Sequence, residues 1–191
     1  MVYIMMTKKF TFFIDNHQQF SGDLKSEQCE GTTINGSQCK RTTVIGTRWC
    51  YSHLLKFKHL RIKKSTLPNG GMGLYCVDCS SENDIVFSAG DKIISYDGEL
   101  IDKEELEDRY GEHTAPYGIQ INKNKFEDGA LHRGVGTLVN HKSHSLSNAR
   151  FGVSRNRIVL IATKNIRSNT ELFVCYGREY RFNEPTTYKT K

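Results

Sequence analysis

The sequence predicts an α+β domain that consists mostly of short β-strands and follows a small N-terminal module. Three observations support this class. From Ile62 onward, short segments with strand-like alternation are separated by glycine. One segment among them has the signals of a capped helix. Before them, residues 29–53 are rich in cysteine, glycine and basic residues and are too short to build a hydrophobic core of their own.

The N-terminal segment, residues 1–28, contains one apolar stretch from Met1 to Ile14. Two lysines interrupt this stretch and no small-residue cleavage site follows it, so it does not have the pattern of a signal peptide. We therefore expect a strand or hairpin that docks on the body of the protein. Further along, residues 54–64 alternate apolar and basic side chains near their end, which indicates a segment leading into a strand.

The middle of the chain carries the clearest secondary-structure signals. Residues Lys92–Ile101 predict two short strands around a tight bend at Asp97-Gly98. Asp102, followed three residues later by Glu105, has the pattern of a capping box and predicts a helix that ends at Gly111. Two further alternating segments predict strands over residues 117–121 and 157–162.

Charge is distributed unevenly along the chain. The formal net charge is +6; residues 1–64 hold 11 Lys and Arg against 4 Asp and Glu, whereas the remainder holds 16 against 17. Eight basic residues and no acidic residue lie between Lys40 and Lys64. Such a block on a small module predicts an acidic partner, here DNA or a nucleosome contacted through residues 40–64. The alternative is a solvated surface that only keeps the module soluble.

Length and composition limit the remaining classes. The 191 residues suit one full-size domain with a small appendage. No apolar run approaches the ~20 residues that cross a bilayer, so we expect no membrane partner. Without a secretory signal we expect an intracellular protein whose six cysteines bind metal or are buried rather than form disulfides. The oligomeric state is left undecided, and a homodimer is one of the alternatives.

The cysteines of the small module follow a metal-ligand spacing. The pattern Cys-x9-Cys-x10-Cys-x2-His is formed by Cys29, Cys39, Cys50 and His53. Three thiolates and one imidazole are a full tetrahedral ligand set for Zn²⁺, and a segment this small needs metal ligation to fold. We therefore predict a zinc module over residues 29–53, similar to short Cys-Cys-Cys-His modules of large DNA viruses and some cellular proteins. The alternative is three free thiols and a surface histidine.

A second cysteine pair, Cys76 and Cys79, is a weaker candidate for metal binding. A site there would need two more ligands, and the histidines and the remaining cysteine that could supply them are scattered along the chain. We therefore expect a structural role for this pair.

Two segments in the first half of the main domain resemble motifs of one known family. Asn69-Gly-Gly-Met-Gly-Leu-Tyr75 is similar to the Gly-x-Gly-Leu/Phe-Phe motif that opens SET domains. Ala89-Gly-Asp-Lys-Ile-Ile-Ser-Tyr-Asp-Gly-Glu99 is similar to their Gly-Glu-x-Ile-x-x-Tyr-x-Gly-Glu motif. Taken singly, the first segment could be an ordinary glycine turn, and the tyrosine of the second could be a core residue.

Two later segments extend the resemblance. Arg133-Gly-Val-Gly-Thr-Leu-Val-Asn-His141, followed by Asn148, resembles the Asn-His-Ser-Cys-x-Pro-Asn block, although Lys142-Ser143 replace Ser-Cys and Ser147 replaces the usual proline. Thr170-Glu-Leu-Phe-Val-Cys-Tyr-Gly-Arg-Glu-Tyr180 resembles Gly-Glu-Glu-Leu-x-x-x-Tyr-Gly-x-x-Tyr. With four segments in family order, the chain is identified as a member of the SET-domain family and resembles the compact SET enzymes of large DNA viruses.

The resemblance implies a fold and a reaction. SET domains have short curved sheets and a pseudoknot in which the third and fourth segments cross, a rare exception to ordinary chain topology. Their members transfer a methyl group from S-adenosylmethionine to a protein lysine, so we expect a lysine methyltransferase acting on a histone tail in the nucleus (of a host cell, for a viral protein) or the cytoplasm. The alternatives are an inactive SET-fold zinc protein that binds chromatin or nucleic acid, and an enzyme for a non-histone protein.

The same resemblance implies roles for individual residues. The catalytic positions are Tyr176, which matches the family's catalytic tyrosine, and Tyr96, which matches a tyrosine that lines the lysine pocket. The cofactor-binding positions are Gly71, Met72, Gly73, Asn140, His141, Tyr176 and Tyr180. The substrate-channel positions are Tyr96, Phe151, Val174 and Tyr176. The expected organisation is an N-terminal segment over 1–28, the zinc module over 29–53, the SET domain over 60–182 and a tail over 183–191.

Overall fold

The computed structural model describes residues 7–14, 17–44, 47–78, 84–178, 180 and 186–190. Two helices occur in these residues, α1 (Tyr51–Lys58) and α2 (Lys103–Tyr110), together with a 3-10 turn over Val135–Leu138. The strands are β1 (Thr7–Ile14), β2 (His17–Lys25), β3 (Leu60–Lys64), β4 (Met72–Cys76), β5 (Ile85–Phe87), β6 (Lys92–Ser95), β7 (Glu99–Asp102), β8 (Gly118–Asn122), β9 (Lys125–Asp128), β10 (Asn140–His141), β11 (Ala149–Ser154), β12 (Arg157–Ala162), β13 (Ile166–Arg167), β14 (Thr170–Glu171), β15 (Phe173–Val174) and β16 (Thr186–Thr190).

The strands form small sheets of two or three members rather than one large sheet. In spatial order the sheets are β16-β1-β2, β10-β15, β11-β12-β6, β13-β5, β14-β4-β3 and β7-β9-β8. All pairings are antiparallel except that of β10 with β15. This arrangement confirms the predicted α+β, mostly β fold.

The predicted N-terminal hairpin exists and packs on the body. Strands β1 and β2 pair antiparallel, and β16 pairs with the other edge of β1. Phe10 and Phe12 are fully buried and form a second hydrophobic core with Tyr110 of α2. Residues 7–25 and 186–190 therefore belong to one sheet attached to the main domain, although sequence organisation separates them as a leading segment and a tail.

Helix α1 was not predicted. Residues 54–64 were expected to lead into a strand, but the strand is preceded by a helix that runs to Lys58 and ends at His59 in the left-handed region, with φ 54°. The helix forms because His53 faces the cysteine cluster while the next residue, Leu54, packs in the main core. These tertiary contacts outweigh the alternation of apolar and basic side chains.

Helix α2 and the bend before it were predicted correctly. Asp97 has φ 54° between β6 and β7, and the Asp102 carboxylate accepts a hydrogen bond of 2.9 Å from the Glu105 backbone N–H. The Glu105 carboxylate pairs with Arg109. The helix ends at Gly111, where φ is 58°.

Two fully buried carboxylates on β9 hold the sheet β7-β9-β8 in place. Asp128 accepts hydrogen bonds from Arg109, from the Tyr110 hydroxyl at 2.8 Å and from the Ala130 backbone. Glu127 pairs with Arg157 at 2.9 Å and accepts from the backbone of Gly98 and Ile158. Burial raises the pKa of both carboxyl groups, and these donors limit that increase.

Strands β10 and β15 form the crossing that the family resemblance implies. Asn140 lies opposite Phe173 and His141 opposite Val174 in a parallel pair. The side chain of Asn148 ties the same segments together, because its amide donates to the Glu171 carbonyl and its oxygen accepts from the Phe173 backbone, each at 2.8 Å. The third and fourth motif segments therefore lie side by side.

No helix in the described residues is both long enough and apolar enough to span a membrane.

Candidate active site and metal cluster

The four predicted metal ligands lie together. The ligand atoms of Cys29, Cys39, Cys50 and His53 all lie within 4.8 Å of one another, and all four residues are buried. Nδ1 of His53 is 3.3 Å from Sγ of Cys29 and 3.4 Å from Sγ of Cys50. Zn–S bonds of ~2.3 Å and Zn–N bonds of ~2.0–2.1 Å fit such separations.

The backbone around the cluster has a close approach and a tight turn. A Cβ atom on Gly31 would lie 2.5 Å from the His53 ring, so only glycine fits there. Gly36, at the turn between the first two cysteines, has φ 75°. Nε2 of His53 donates to the Thr32 carbonyl at 2.9 Å, which leaves Nδ1 directed at the thiols. A metal-binding histidine commonly has such a partner on its second nitrogen.

Cys76 does not join this cluster. It is buried in the main core, and its thiol donates to the Arg167 carbonyl at 2.9 Å. Burial raises the pKa of this thiol to about 11. These contacts agree with a structural role for Cys76, whereas Cys79 lies outside the described residues.

An aromatic cavity of about 360 Å³ opens beside the crossing. Its lining residues include Tyr96, Tyr117, Phe151, Tyr176 and Tyr180. Tyr96 and Phe151 meet edge to face, with ring centroids 5.7 Å apart, and Tyr176 and Tyr180 are 4.9 Å apart. Four residues that the sequence assigned to the substrate channel or the cofactor therefore share one cavity.

The two tyrosine hydroxyls of the predicted catalytic pair are both bonded to backbone carbonyls. Tyr96 donates to the Tyr117 carbonyl at 2.7 Å, and Tyr176 donates to the Val139 carbonyl at 2.8 Å. Tyr96 is 4% exposed, and its burial raises its pKa well above the ordinary value. A neutral hydroxyl that donates a hydrogen bond to a carbonyl directs its lone pairs elsewhere, here toward the neighbouring space.

The segment Asn140-His141 connects the cavity to the glycine-rich segment. The backbone N–H of Tyr176 donates to Nδ1 of His141 at 3.0 Å, so this imidazole is an acceptor on that nitrogen. Burial lowers the pKa of His141, which favours the neutral ring. The Asn140 amide donates to the Met72 carbonyl at 3.1 Å. The first, third and fourth motifs thus meet at one point.

Glu171 also belongs to this meeting point but was not selected from the sequence. Its buried carboxylate accepts hydrogen bonds from several donors, namely the hydroxyl of Ser65, the backbone and hydroxyl of Thr66, the hydroxyl of Tyr75 and the amide of Asn140. Although burial alone would raise its pKa, these donors lower it below the ordinary value. Its position within the fourth motif was the only available signal.

The glycine-rich segment leaves open space on one side. Gly71 has φ 58°, and apart from its own atoms and its two chain neighbours no atom of the described residues lies within 4 Å of where its Cβ would be. A Cβ on Gly73 would overlap the Glu171 carboxylate, so this backbone must stay bare for the strand to reach the acid. Met72 is 48% exposed between them. The predicted cofactor residues therefore form an accessible backbone surface next to Asn140.

Val174 was predicted to line the substrate channel. It is 0% exposed in the main core and pairs with His141 through the backbone. The residues that line the cavity in the described chain include Phe151 and Val139 but not Val174. Val174 ends strand β15 and Tyr176 follows beyond the strand, so strand alternation does not relate the directions of the two side chains.

The SET-domain family model matches residues 71–177, which is more than half of the 191 residues. The chain belongs to the SET-domain family. The match contains the cavity, the glycine-rich segment and Glu171, whereas the cysteine cluster and the N-terminal hairpin precede it.

Solved structures of polycomb repressive complex 2 (PRC2) from Chaetomium thermophilum are similar to this chain. A crystal structure of the complex is 26% identical over 68% of this chain and 16% of that chain, with a TM-score of 0.51. The autoinhibited complex bound to S-adenosylmethionine is 27% identical over 64% of this chain and 16% of that chain, with a TM-score of 0.51. The complex with H3K27me3 and H3K27M is 26% identical over 66% of this chain and 16% of that chain, with a TM-score of 0.52.

The chain therefore spans only 16% of the length of these relatives. No curated protein matches the chain significantly. The comparisons give no support to the narrower resemblance to viral SET enzymes.

The Glu171 network predicts a pH-dependent contribution to stability. Replacing Glu171 with Gln removes the charge and puts an amide N–H₂, itself a donor, against the donors that the carboxylate oxygens accept from. We therefore expect the free energy of unfolding at neutral pH to fall by about 2–3 kcal/mol. The lowered pKa means that the stabilisation is complete above the unfolded pKa of ~4.3 and is lost as pH falls through the folded pKa. Denaturant unfolding from pH 7 to pH 3 should show wild type and Glu171→Gln converging at acid pH.

The exposed variant Glu112→Gln is the matched control for this measurement, because it removes the same charge from the surface. We expect it to unfold like wild type at every pH. A Glu171→Gln deficit that stayed constant down to pH 3 would contradict the ionised-carboxylate network.

Proposed function

We propose that this chain is a protein-lysine N-methyltransferase that uses S-adenosylmethionine. The observation that carries the proposal is the position of Tyr176, whose hydroxyl lies in the aromatic cavity while its backbone is bonded to His141 next to the glycine-rich segment. One residue thus joins a narrow apolar pocket to an open backbone surface. Membership of the SET-domain family and the similarity to a complex bound to S-adenosylmethionine support this assignment.

The cofactor would lie against the residues assigned to it from the sequence. Gly71 and Gly73 leave the backbone bare, Asn140 and His141 supply the adjacent edge, and the Tyr180 ring lies on the cavity side. When bound, the cofactor supplies an electrophilic methyl group on a sulfonium centre. The protein groups that would face the sulfonium are neutral or accept hydrogen bonds, and such groups suit a positively charged ligand.

The substrate lysine would enter the cavity between Tyr96, Phe151 and Tyr176. A free lysine has a pKa near ~10.4, so its amine must lose a proton before it can attack a methyl group. The aromatic walls disfavour an ammonium ion, and Tyr96 stays neutral because burial raises its pKa. The Tyr176 hydroxyl, fixed by the Val139 carbonyl, orients the amine. Alignment rather than a general base then provides most of the rate enhancement.

The protein substrate would lie along β8. In the sheet β7-β9-β8 of the described residues, β8 is an edge strand, and Gly118, Ile119 and Gln120 line the cavity. An extended peptide can add to such an edge by backbone hydrogen bonds. Helix α2, whose Leu106 lines the same cavity, exposes Glu104 and Asp108, which favours a basic peptide such as a histone tail. The complex with histone H3 peptides supports the same substrate class.

The cysteine cluster would hold one structural Zn²⁺. Four buried protein ligands fill a tetrahedral set and leave no position for a reacting water. The metal would contribute folding free energy to residues 29–53 and take no part in methyl transfer.

The basic block from Lys40 to Lys64 would contact DNA phosphates of a nucleosome. Arg48 of this block pairs with Glu30, whereas Lys58, Arg61 and Lys64 are exposed and have no ion pair within the described residues. A histone substrate and a DNA contact would both place the protein in the nucleus. The second candidate function, an inactive SET-fold protein that binds chromatin, is favoured only by this surface.

Tyr176 supplies the first test of the proposed activity. We expect Tyr176→Phe to lower kcat on a lysine peptide by about 100-fold or more, because the hydroxyl acts mainly in the transition state, while affinity for S-adenosylhomocysteine changes little. Methyl incorporation and calorimetric binding give the two values. Tyr51→Phe, at a residue 59% exposed on the zinc module, is the control and should behave as wild type. Near-normal turnover of Tyr176→Phe would show that the catalytic assignment is wrong.

Metal content gives the second test. Purified chain should carry one zinc, and Cys39→Ser should lose it and unfold residues 29–53 while the cofactor affinity of the SET domain is kept. Cys76→Ala removes a cysteine outside the cluster and should retain the zinc. Elemental analysis that found no zinc in protein prepared without chelators would refute this site.

Salt dependence tests the basic block. Phosphate contacts release counterions, so methylation of nucleosomes should weaken steeply between low and moderate salt while methylation of a free peptide should not. A variant with Lys56, Lys58, Arg61, Lys63 and Lys64 neutralised should lose that salt dependence on nucleosomes. If both proteins showed equal salt sensitivity on nucleosomes, the block would have no role in binding.

A further inference from the structure

Arg133 lies between two aromatic rings, one in the N-terminal hairpin and one in the cavity wall. Its guanidinium carbon is 4.9 Å from the ring centroid of Phe10 and 4.1 Å from that of Tyr117. Phe10 is fully buried on β1, and Tyr117 lines the cavity. A cation within ~6 Å of an aromatic face is attracted by the ring quadrupole. Arg133 therefore joins the hairpin to the wall of the cavity.

Hydrogen bonds continue from Arg133 to Tyr96. Nε of Arg133 donates to the Gly129 carbonyl at 3.1 Å, and the Gly129 N–H donates to the Tyr117 carbonyl at 3.0 Å. The same Tyr117 carbonyl accepts the Tyr96 hydroxyl at 2.7 Å. A displacement of Arg133 would thus reach Tyr96 through two shared backbone groups.

The segment that carries Arg133 is packed tightly against Tyr96. A Cβ atom on Gly129 would lie 3.1 Å from the Tyr96 hydroxyl oxygen, and one on Gly134 would overlap the Tyr96 carbonyl. There is little free space for this segment to take a second position. Movement of Arg133 would therefore be transmitted to Tyr96 rather than absorbed between them.

The arrangement is not one that stability alone would favour. Among the described residues, Nη2 of Arg133 is a buried donor that lacks a hydrogen-bond partner. A buried donor without a protein partner destabilises the folded state, and such a group in a native protein is explained by stored strain, a functional role or a bound water. Contact with two rings and with Gly129 offsets part of that loss.

We propose that Arg133 is a positioning residue for the substrate cavity and that hairpin β1–β2 supports the cavity through it. The hairpin precedes the matched family segment 71–177, yet it supplies one of the two rings that hold the guanidinium. Without Arg133, the Tyr117 carbonyl and the Tyr96 hydroxyl move relative to Tyr176, and the substrate amine is misaligned. This inference rests on the proposed methyltransferase function.

Kinetics of four variants test the proposal. Arg133→Met should lower kcat on a lysine peptide on the order of 10- to 100-fold, because a small misplacement of reacting groups has effects of that size. S-adenosylhomocysteine affinity should stay within about twofold of wild type. Arg133→Lys keeps the charge but loses the planar fork and should be intermediate. Phe10→Leu should act in the same direction, and Arg155→Met, at an exposed turn, should have no effect.

Hydrogen–deuterium exchange of the unliganded variants gives a readout that does not need activity. Arg133→Met and Phe10→Leu should speed exchange in residues 114–130 but not in residues 149–162, which contain β11 and β12. If wild type transferred no methyl group but exchange changed as expected, the proposed function would fail while the coupling of hairpin to cavity stood. Equal acceleration in both segments would overturn the positioning role, as would normal kcat in a folded Arg133→Met. Should Arg133→Met not fold, normal kcat in Arg133→Lys and Phe10→Leu would overturn it instead.

Discussion

Glu171 carries a negative charge at the place where the loop after β3, strand β4 and strand β10 meet. An ionised carboxylate at 5% exposure is tolerated only when donors occupy its oxygens, and Glu171 has donors from each of these parts. Each donor is fixed in return, because leaving the charge unpaired would be far more destabilising than any rearrangement could offset. Asn140 is thereby held against the Met72 carbonyl, and the glycine-rich backbone acquires one geometry. Tyr176 follows five residues later, so its position depends on the same anchor.

The cavity on the other side of Tyr176 differs from the Glu171 site because aromatic and neutral polar groups form its walls. Its walls near Tyr96 and Phe151 are aromatic, and their polar groups are hydroxyls already bonded to carbonyls. A free carboxylate there would stabilise an ammonium ion and oppose the loss of its proton. Two buried acids, Glu127 and Asp128, follow Phe126 of the cavity wall, and both are paired with arginines. The charge of Glu171 thus fixes the backbone, whereas the acids near the place where a substrate amine would lie are neutralised by arginines.

Local patterns predicted the parts of this protein that depend on local physics. Alternation and turn residues predicted β6, β7, β8 and β12. Asp102 predicted the capped helix α2. The Cys-x-x-His spacing predicted that three cysteines and His53 would cluster. Motif order indicated that Asn140, His141 and Tyr176 would meet, as the parallel pairing of β10 with β15 confirms.

What the sequence did not reveal depends on contacts between distant residues. Helix α1 forms because adjacent residues face the cysteine cluster and the core, which no periodicity over eight residues could indicate. Val174 was assigned to the channel by motif position, and the structure buries its side chain among distant residues of the main core. The donors that surround Glu171 are 31 or more residues away from it. Arg133 has nearer partners, but its contact with Phe10 of the hairpin joins residues 123 positions apart, and no local signal predicts that contact. The residues whose roles could not be predicted therefore lie mostly where several distant segments meet.

The cysteine cluster is connected to the main core through one short helix. His53 faces the cluster and Leu54, the next residue of α1, is fully buried in the core, while Trp49 packs against both. Metal ligation at the proposed zinc site and core packing would therefore stabilise the same helix, and ordering of the module would restrict the core contact of Leu54. Lys56 and Lys58 extend from this helix, and β3 with Arg61 follows it directly. A basic surface on a loose tether would only raise local concentration, whereas on α1 and β3 it has a fixed direction relative to the cavity. Under the proposed function, a nucleosome held by this surface would present only those lysines that both its geometry and the fit of the peptide allow to reach Tyr176.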